Sequence, residues 1–280
     1  MKDKVYLVTG ANSGIGKVTA KALAASGAAV MMVCRNPEKG KAARDEIVRE
    51  TGNQNVELLL ADFADLRQIR RVADEVKAKT RRLDALVNNA GAFHSARRLT
   101  ADGYEMTFGV NHLGYFLLTA ELLDLLKSSA PARIVNVASD AHRAGRIYFG
   151  DLNLNHEYGG WKAYAQSKLA NILFTYELAR RLEGSRVTAN CMHPGGVNTN
   201  FFTNIKGLAG LFARPFTIFM RTPERGADTV IWLAASPEVE GLTGKYFIDR
   251  KEKQSNRESY DPEVAARLWE VSEQMVRATT

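Results

Sequence analysis

Apolar residues gather along the chain in short runs separated by longer stretches of mixed polarity. Seven runs are almost continuously apolar: Lys4–Thr9, Ala29–Cys34, Val56–Leu60, Ala85–Asn88, Arg133–Val137, Val187–Cys191 and Lys245–Ile248. Such brevity and continuity fit strands covered on both faces. The stretches that follow them predict helices over Gly16–Ser26, Pro37–Thr51, Leu66–Thr80, Asn111–Lys127, Trp161–Glu183, Glu224–Ala235 and Pro262–Arg277. Regular alternation of strand and helix predicts an α/β fold: a parallel sheet of about seven strands, with right-handed crossovers and helices on both faces. No repeat or Pro/Gly-rich linker divides the chain, so residues 1–280 are expected to form a single domain. Two stretches break the alternation. Asn198–Arg221 reads as an insertion, and Asp249–Tyr260 as a charged, exposed segment.

Composition adds limits rather than identity. A chain of 280 residues, 45% hydrophobic and 25% charged, has the make-up of an ordinary globular protein. The net charge of +7 favours anionic partners in general, but the cations form scattered pairs such as Arg70-Arg71, Arg97-Arg98 and Arg180-Arg181. That pattern argues for solvated faces over a nucleic-acid footprint. Cys34 and Cys191 fall at predicted strand ends, read as buried apolar residues, and fit a cytoplasmic setting. Met1 leads almost directly into the first strand, and no apolar run is long enough to span a bilayer, so neither a signal peptide nor an integral membrane segment is expected. The five histidines lack metal-ligand spacing, and no metal is expected.

The first strand runs into Thr9-Gly10-Ala11-Asn12-Ser13-Gly14-Ile15-Gly16, and a helix follows. Glycines at a first strand-to-helix junction let the backbone approach a diphosphate, and N–H groups at the helix start face the anion. The small polar Asn12 and Ser13 suit the same loop. The second strand ends Cys34-Arg35-Asn36, without the acidic residue that binds both ribose hydroxyls of NAD. Arg35 offers a guanidinium fork to a 2′-phosphate, so NADP(H) is favoured over NAD(H). Asp62-Phe63 follows the third strand and Asn88-Asn89-Ala90-Gly91 the fourth, both at the edge where such a cofactor would lie.

Tyr164 and Lys168 lie four apart on a predicted helix, hence on one face. A phenol is a poor base near neutrality, but a neighbouring cation favours its ionised form. Tyr164 is then able to exchange a proton with a substrate oxygen while hydride moves to or from a nicotinamide. Ser139, just past the fifth strand, is placed to hydrogen-bond that oxygen. Asn111 reads either as a helix N-cap or as the holder of a water that extends a proton path from Lys168.

These motifs, with Pro194-Gly195, resemble in order and spacing the short-chain dehydrogenases/reductases. The resemblance covers essentially the whole chain. It implies a Rossmann-like, doubly wound fold and the catalytic set Asn111, Ser139, Tyr164 and Lys168, with Pro194, Gly195, Val197 and Thr199 bordering the nicotinamide. Within the family, Cys34-Arg35, Asn111-His112-Leu113-Gly114, Ser139-Asp140-Ala141-His142 and Ser167-Lys168-Leu169-Ala170-Asn171 resemble the retinol dehydrogenase-like branch, which commonly prefers NADP(H). The run Leu208–Met220 is rich in leucine and phenylalanine. Three readings stand for it: a lid over a bulky apolar aldehyde, ketone or alcohol, a peripheral membrane contact, or ordinary packing. A homodimer or homotetramer built on the Trp161–Glu183 helix is a further expectation from the family. The competing function is a catalytically silent, cofactor-binding regulatory protein on the same fold.

Overall fold

The structure, a computed structural model, describes residues 1–196 and 221–278. Strands β1 (Val5–Thr9), β2 (Ala29–Cys34), β3 (Val56–Leu60), β4 (Ala85–Asn88), β5 (Ala132–Val137), β6 (Val187–Met192) and β7 (Tyr246–Ile248) lie within a residue of the predicted runs. An eighth, β8 (Lys251–Glu252), was not anticipated. The sheet order is β3-β2-β1-β4-β5-β6-β7-β8. The first seven are parallel, and β8 runs antiparallel to β7. Between β1 and β4 the order of winding reverses, which opens a crevice at their carboxyl ends.

Helices α1 (Gly14–Ala25), α2 (Pro37–Thr51) and α3 (Leu66–Lys79) follow the first three strands. A short turn α4 (Met106–Phe108) leads through a π turn (Gly109–Leu113) into α5 (Gly114–Ser128). Helices α6 (Gly160–Arg181), α7 (Pro223–Ala235) and α8 (Pro262–Arg277) follow among the described residues. One apolar core joins one face of the sheet to α1, α2 and α7, and a second joins the other face to α3, α5, α6 and α8. Local chemistry marks the boundaries. Asn36 Oδ1 accepts from Lys39 N at 2.8 Å, Pro37 opens α2, and Gly52 closes it at φ 70°.

Two expectations need correction. Asn111 does not begin a helix: Glu105 caps the start, its two carboxylate oxygens accepting from Thr107 N (2.9 Å) and Phe108 N (2.7 Å). Asn111 sits inside the π turn, fully buried. The segment Asp249–Tyr260 is not simply exposed: it holds β8 and the buried Ser255 and Ser259. The β7–β8 turn puts Asp249 (φ 51°) and Arg250 (φ 57°) in the left-handed region, which aspartate tolerates and arginine adopts at a cost. Ion pairs hold both: Asp249 with Arg221, and Arg250 with Asp228 of α7.

Most of α6 is buried within the chain. Across its outer side lies α8, whose Trp269 stacks on Phe174 (5.8 Å between centroids) and meets Phe116 of α5 edge-on (4.9 Å). Among the described residues of α6, Trp161 is the one large hydrophobic side chain left exposed, and it faces the cleft described below. The apolar strip on this side of α6 is thus packed against the chain's own α8.

Candidate active site

A cleft of about 750 Å3 runs along the carboxyl edge of the sheet across the β1–β4 crevice. One end is the glycine loop. Gly10 has φ 65°, and a Cβ there would stand 2.9 Å from Ala90 Cα. A Cβ on Gly16 would meet both Asn89 Nδ2 and Gly10 O at 2.4 Å. Glycine is thus required for the loop to close on β4. Thr9 Oγ1 accepts from Asn89 N and Ala90 N (both 2.9 Å), and Asn89 Nδ2 donates to Thr9 O (2.8 Å). These bonds lock the loop after β4 to the loop after β1. Asn89, Ala90 and Gly91 all line the cleft beside it.

Asn12, Ser13, Gly14 and Ile15 line the same end. Ser13 is the N-cap residue of α1, yet its hydroxyl makes no capping bond and is exposed. The start of α1 therefore directs its unsatisfied N–H groups toward the cleft. Arg35 is exposed on the rim and forms no ion pair with a described residue. Lys17, nearby in sequence, is instead committed to Glu46 at 2.7 Å. Asn36 lies off the cleft, its side chain used as the α2 cap. Asp62 and Phe63 form the opposite wall, with Asp62 Oδ1 fixed by Ala64 N at 3.0 Å.

Ser139, Tyr164 and Lys168 meet at the other end, beside Pro194 and Gly195. Ser139 stands where β5 gives way to a 3-10 turn (Asp140–Ala144), and its Oγ accepts from Ala141 N at 3.3 Å. Lys168 is almost wholly buried; its Nζ donates to Val137 O at 3.0 Å and lies 5.6 Å from the centre of the Tyr164 ring. Burial governs both ionisable groups. It pushes the Tyr164 phenol up to about 12, opposed by a hydrogen bond from the Ser139 side chain, and pulls Lys168 down to about 7. The expected lowering of Tyr164 by its neighbour is therefore not realised in the protein alone: a lysine that burial drives toward neutrality is a weak source of field.

Asn111 lies behind the cleft, not in it. Its Oδ1 accepts from Ala92 N (2.7 Å), and its Nδ2 donates to Ala92 O and Ser167 Oγ (both 3.0 Å). The side chain braces the loop after β4 against α6. Val197, Thr199 and the Leu208–Met220 run fall outside the described residues. At the border of that segment, Arg221 N donates to Gly196 O at 2.7 Å.

Sequence reasoning missed several cleft residues. Phe93 meets the Tyr164 ring edge-on at 5.9 Å, and Trp161 lies 6.0 Å from it on the other side. His94, Arg143 and His193 also line the cleft. Trp161 was findable: it precedes Tyr164 by three on one helix, so the two share a face. The others come from irregular loops with no periodicity to read.

The short-chain dehydrogenase family model matches residues 4–207. Retinol dehydrogenase 14 of Mus musculus is 48% identical over 292 aligned positions, covering 99% of this chain and 86% of that protein. Retinol dehydrogenase 13 of Homo sapiens is 46% identical, covering 98% and 84%. Among solved structures, an uncharacterised protein from Mycobacterium paratuberculosis superposes with a TM-score of 0.80 at 36% identity, over 98% of this chain and 94% of that one. A Shigella flexneri short-chain dehydrogenase, described as complexed with NADP, gives 0.71 at 27% identity over 90% and 98%. No helix among the described residues is long and apolar enough to cross a membrane. Sheet order, crevice and the match over nearly the whole chain agree: this chain belongs to the short-chain dehydrogenases/reductases, in the company of the retinol dehydrogenases, and is an alcohol–carbonyl oxidoreductase by family.

Proposed function

We propose that the protein is an NADP(H)-dependent oxidoreductase that interconverts a bulky apolar alcohol and its aldehyde or ketone. The observation that carries this reading is the convergence of Ser139, Tyr164 and Lys168 on one cleft that also contains the Gly10–Gly16 loop. The residues present fit a dinucleotide. A loop too tight for any Cβ at Gly16, a helix start whose N-cap hydroxyl makes no capping bond, and an exposed Arg35 that forms no ion pair among the described residues match a diphosphate and a 2′-phosphate in turn. Gly10, Asn12, Ser13, Gly14, Ile15, Ala90 and Gly91 would border it, with Asp62 and Phe63 at the adenine end and Pro194 and Gly195 at the nicotinamide end.

When bound, the dinucleotide supplies or accepts the hydride. The chain's own groups handle the substrate oxygen and its proton. Ser139 Oγ donates to that oxygen and stabilises its growing charge. Tyr164, un-ionised at neutral pH with its phenol at about 12, carries the proton to be given, which suits carbonyl reduction. Lys168 Nζ, near its midpoint at about 7, is suited to replace that proton. Phe93 and Trp161 pack beside the phenol and fix the plane of its ring. The three residues that carry the chemistry match the family in kind and spacing, which supports turnover over a silent binding role.

The test is a purified-protein screen that follows nicotinamide absorbance with NADPH and NADH across aliphatic aldehydes, aromatic ketones, steroids and retinal, with Tyr164→Phe as control. Turnover on an apolar carbonyl that falls at least about a hundredfold in the control is expected for loss of a proton donor. Wild-type turnover by Tyr164→Phe would refute the role.

A further inference from the structure

The turn that carries Ser139 is held in an unusual way. A single peptide unit, Ser139–Asp140, is gripped at both of its polar ends by histidine rings. Its carbonyl, Ser139 O, receives His142 Nδ1 at 2.6 Å and also His142 N at 3.1 Å. Its amide, Asp140 N, donates to His193 Nδ1 at 3.1 Å. The two rings come from different elements: His142 from the 3-10 turn itself, and His193 from the chain just after β6.

Each ring is itself anchored. His142 is fully buried, with its ring 5.0 Å from Tyr246 of β7, and its backbone carbonyl accepts from Asn256 Nδ2 at 3.1 Å. His193 N donates to Phe247 O at 3.0 Å, which ties the second ring to the same strand. The network also assigns the tautomers. Nδ1 of His142 must carry a proton to bond a carbonyl, and Nδ1 of His193 must lack one to accept from an amide. Burial holds both imidazoles below their ordinary range, so both are neutral at pH 7.

The orientation of this peptide plane fixes ψ of Ser139, and with it the path of the chain into the turn that orients the Ser139 hydroxyl. The hydroxyl accepts from Ala141 N at 3.3 Å and hydrogen-bonds the Tyr164 side chain, so its position follows the path of that turn. We propose that His142 and His193 are positioning residues that clamp the Ser139–Asp140 peptide and so aim the Ser139 hydroxyl at the substrate oxygen. The inference rests on the assignment of Ser139 made above.

The experiment is a pair of double-mutant cycles on the NADPH-dependent reduction of whichever carbonyl the screen identifies. His142→Phe removes the donor and keeps the ring; His142→Asn returns an amide N–H near the position of Nδ1; His193→Ala removes the acceptor at a partly exposed position. Each is made in the wild type and in Ser139→Ala. Misplacing a reacting group by about 1 Å costs on the order of a hundredfold. His142→Phe and His193→Ala are expected to lower kcat tenfold to a hundredfold, with NADPH affinity measured by fluorescence titration unchanged. His142→Asn should recover most of that loss. In the Ser139→Ala background both losses should shrink to less than about threefold, because there is no hydroxyl left to aim. Equal losses in the two backgrounds, or a loss of NADPH affinity that accounts for the fall in kcat, overturn the proposal. Should His142→Phe not fold, the His193 cycle decides alone. If Ser139→Ala itself retains wild-type turnover, the reading of the active site fails, and the clamp falls with it.

Discussion

Arg35 gives the sharpest quantitative test of the cofactor assignment. It is exposed on the cleft rim, it forms no ion pair with a described residue, and Lys17, the cation directly after the Gly10–Gly16 loop, is held by Glu46. A guanidinium on a phosphate is a charge-assisted bond, worth about 1.5–3 kcal/mol. Exposure to solvent places this one toward the lower end, about 1.5–2 kcal/mol, which corresponds to roughly ten- to thirtyfold in affinity. Arg35→Ala should therefore raise the Kd for NADPH by that factor and leave the Kd for NADH unchanged, since NADH lacks the 2′-phosphate. The two constants are measured separately by titrating nucleotide fluorescence. Lys17→Ala is the matched control and should not alter the ratio. Raising ionic strength should narrow the gap between the cofactors in the wild type and not in Arg35→Ala. Equal weakening of both nucleotides, or no change in either, would refute the reasoning.

Other consequences are as direct. Lys168 is depressed from about 10.5 to about 7, so between those values the unfolded chain binds more protons than the folded one, and this group's contribution to stability improves as pH rises. The stability advantage of Lys168→Met over the wild type, from urea midpoints of the cofactor-free protein, should grow as pH falls from 9 to 7; a pH-independent difference would contradict it. Gly16→Ala places a methyl 2.4 Å from Gly10 O and Asn89 Nδ2 and should cost about 1–3 kcal/mol together with most NADPH affinity; unaltered binding by calorimetry would count against the cradle. Leu268→Ala removes a buried side chain of α8 and should cost about 2–5 kcal/mol. Loosening α8 should also make the protein associate with rising concentration in sedimentation velocity; a strictly monodisperse variant would show that the α6 face is protected otherwise.

Much of this molecule was legible because its signals are local. Continuous apolar runs gave seven of the strands, and the glycine spacing at Gly10–Gly16 together with Tyr164 and Lys168 gave the ends of the cleft. What escaped depends on distant partners. Asp249-Arg250 carries no turn signature, and its left-handed backbone is held by Arg221 and Asp228. The helix before Asn111 starts at a buried glutamate whose role appears only in its bonds to Thr107 N and Phe108 N. The ionisation of Tyr164 and Lys168 was misjudged because spacing on a helix reveals neighbours and says nothing of burial. The coverage of α6 by α8 joins segments about a hundred residues apart, beyond the reach of any periodicity.

The short bond from Arg221 N to Gly196 O closes a neck in the chain. The backbone leaves the sheet region at Gly196 and re-enters it at Arg221, with the two points in contact and Arg221 pinned to Asp249. A Cβ on Gly195 would stand 2.5 Å from Arg221 Cδ, so the same arginine also presses on the backbone beside Pro194. Gly195, Gly196, Arg221 and Asp249 thus act as one hinge-pin at the rim of the cleft: the exit of β6, the entry to α7 and the β7–β8 turn meet at a single guanidinium, and a change at that arginine is felt in all three at once.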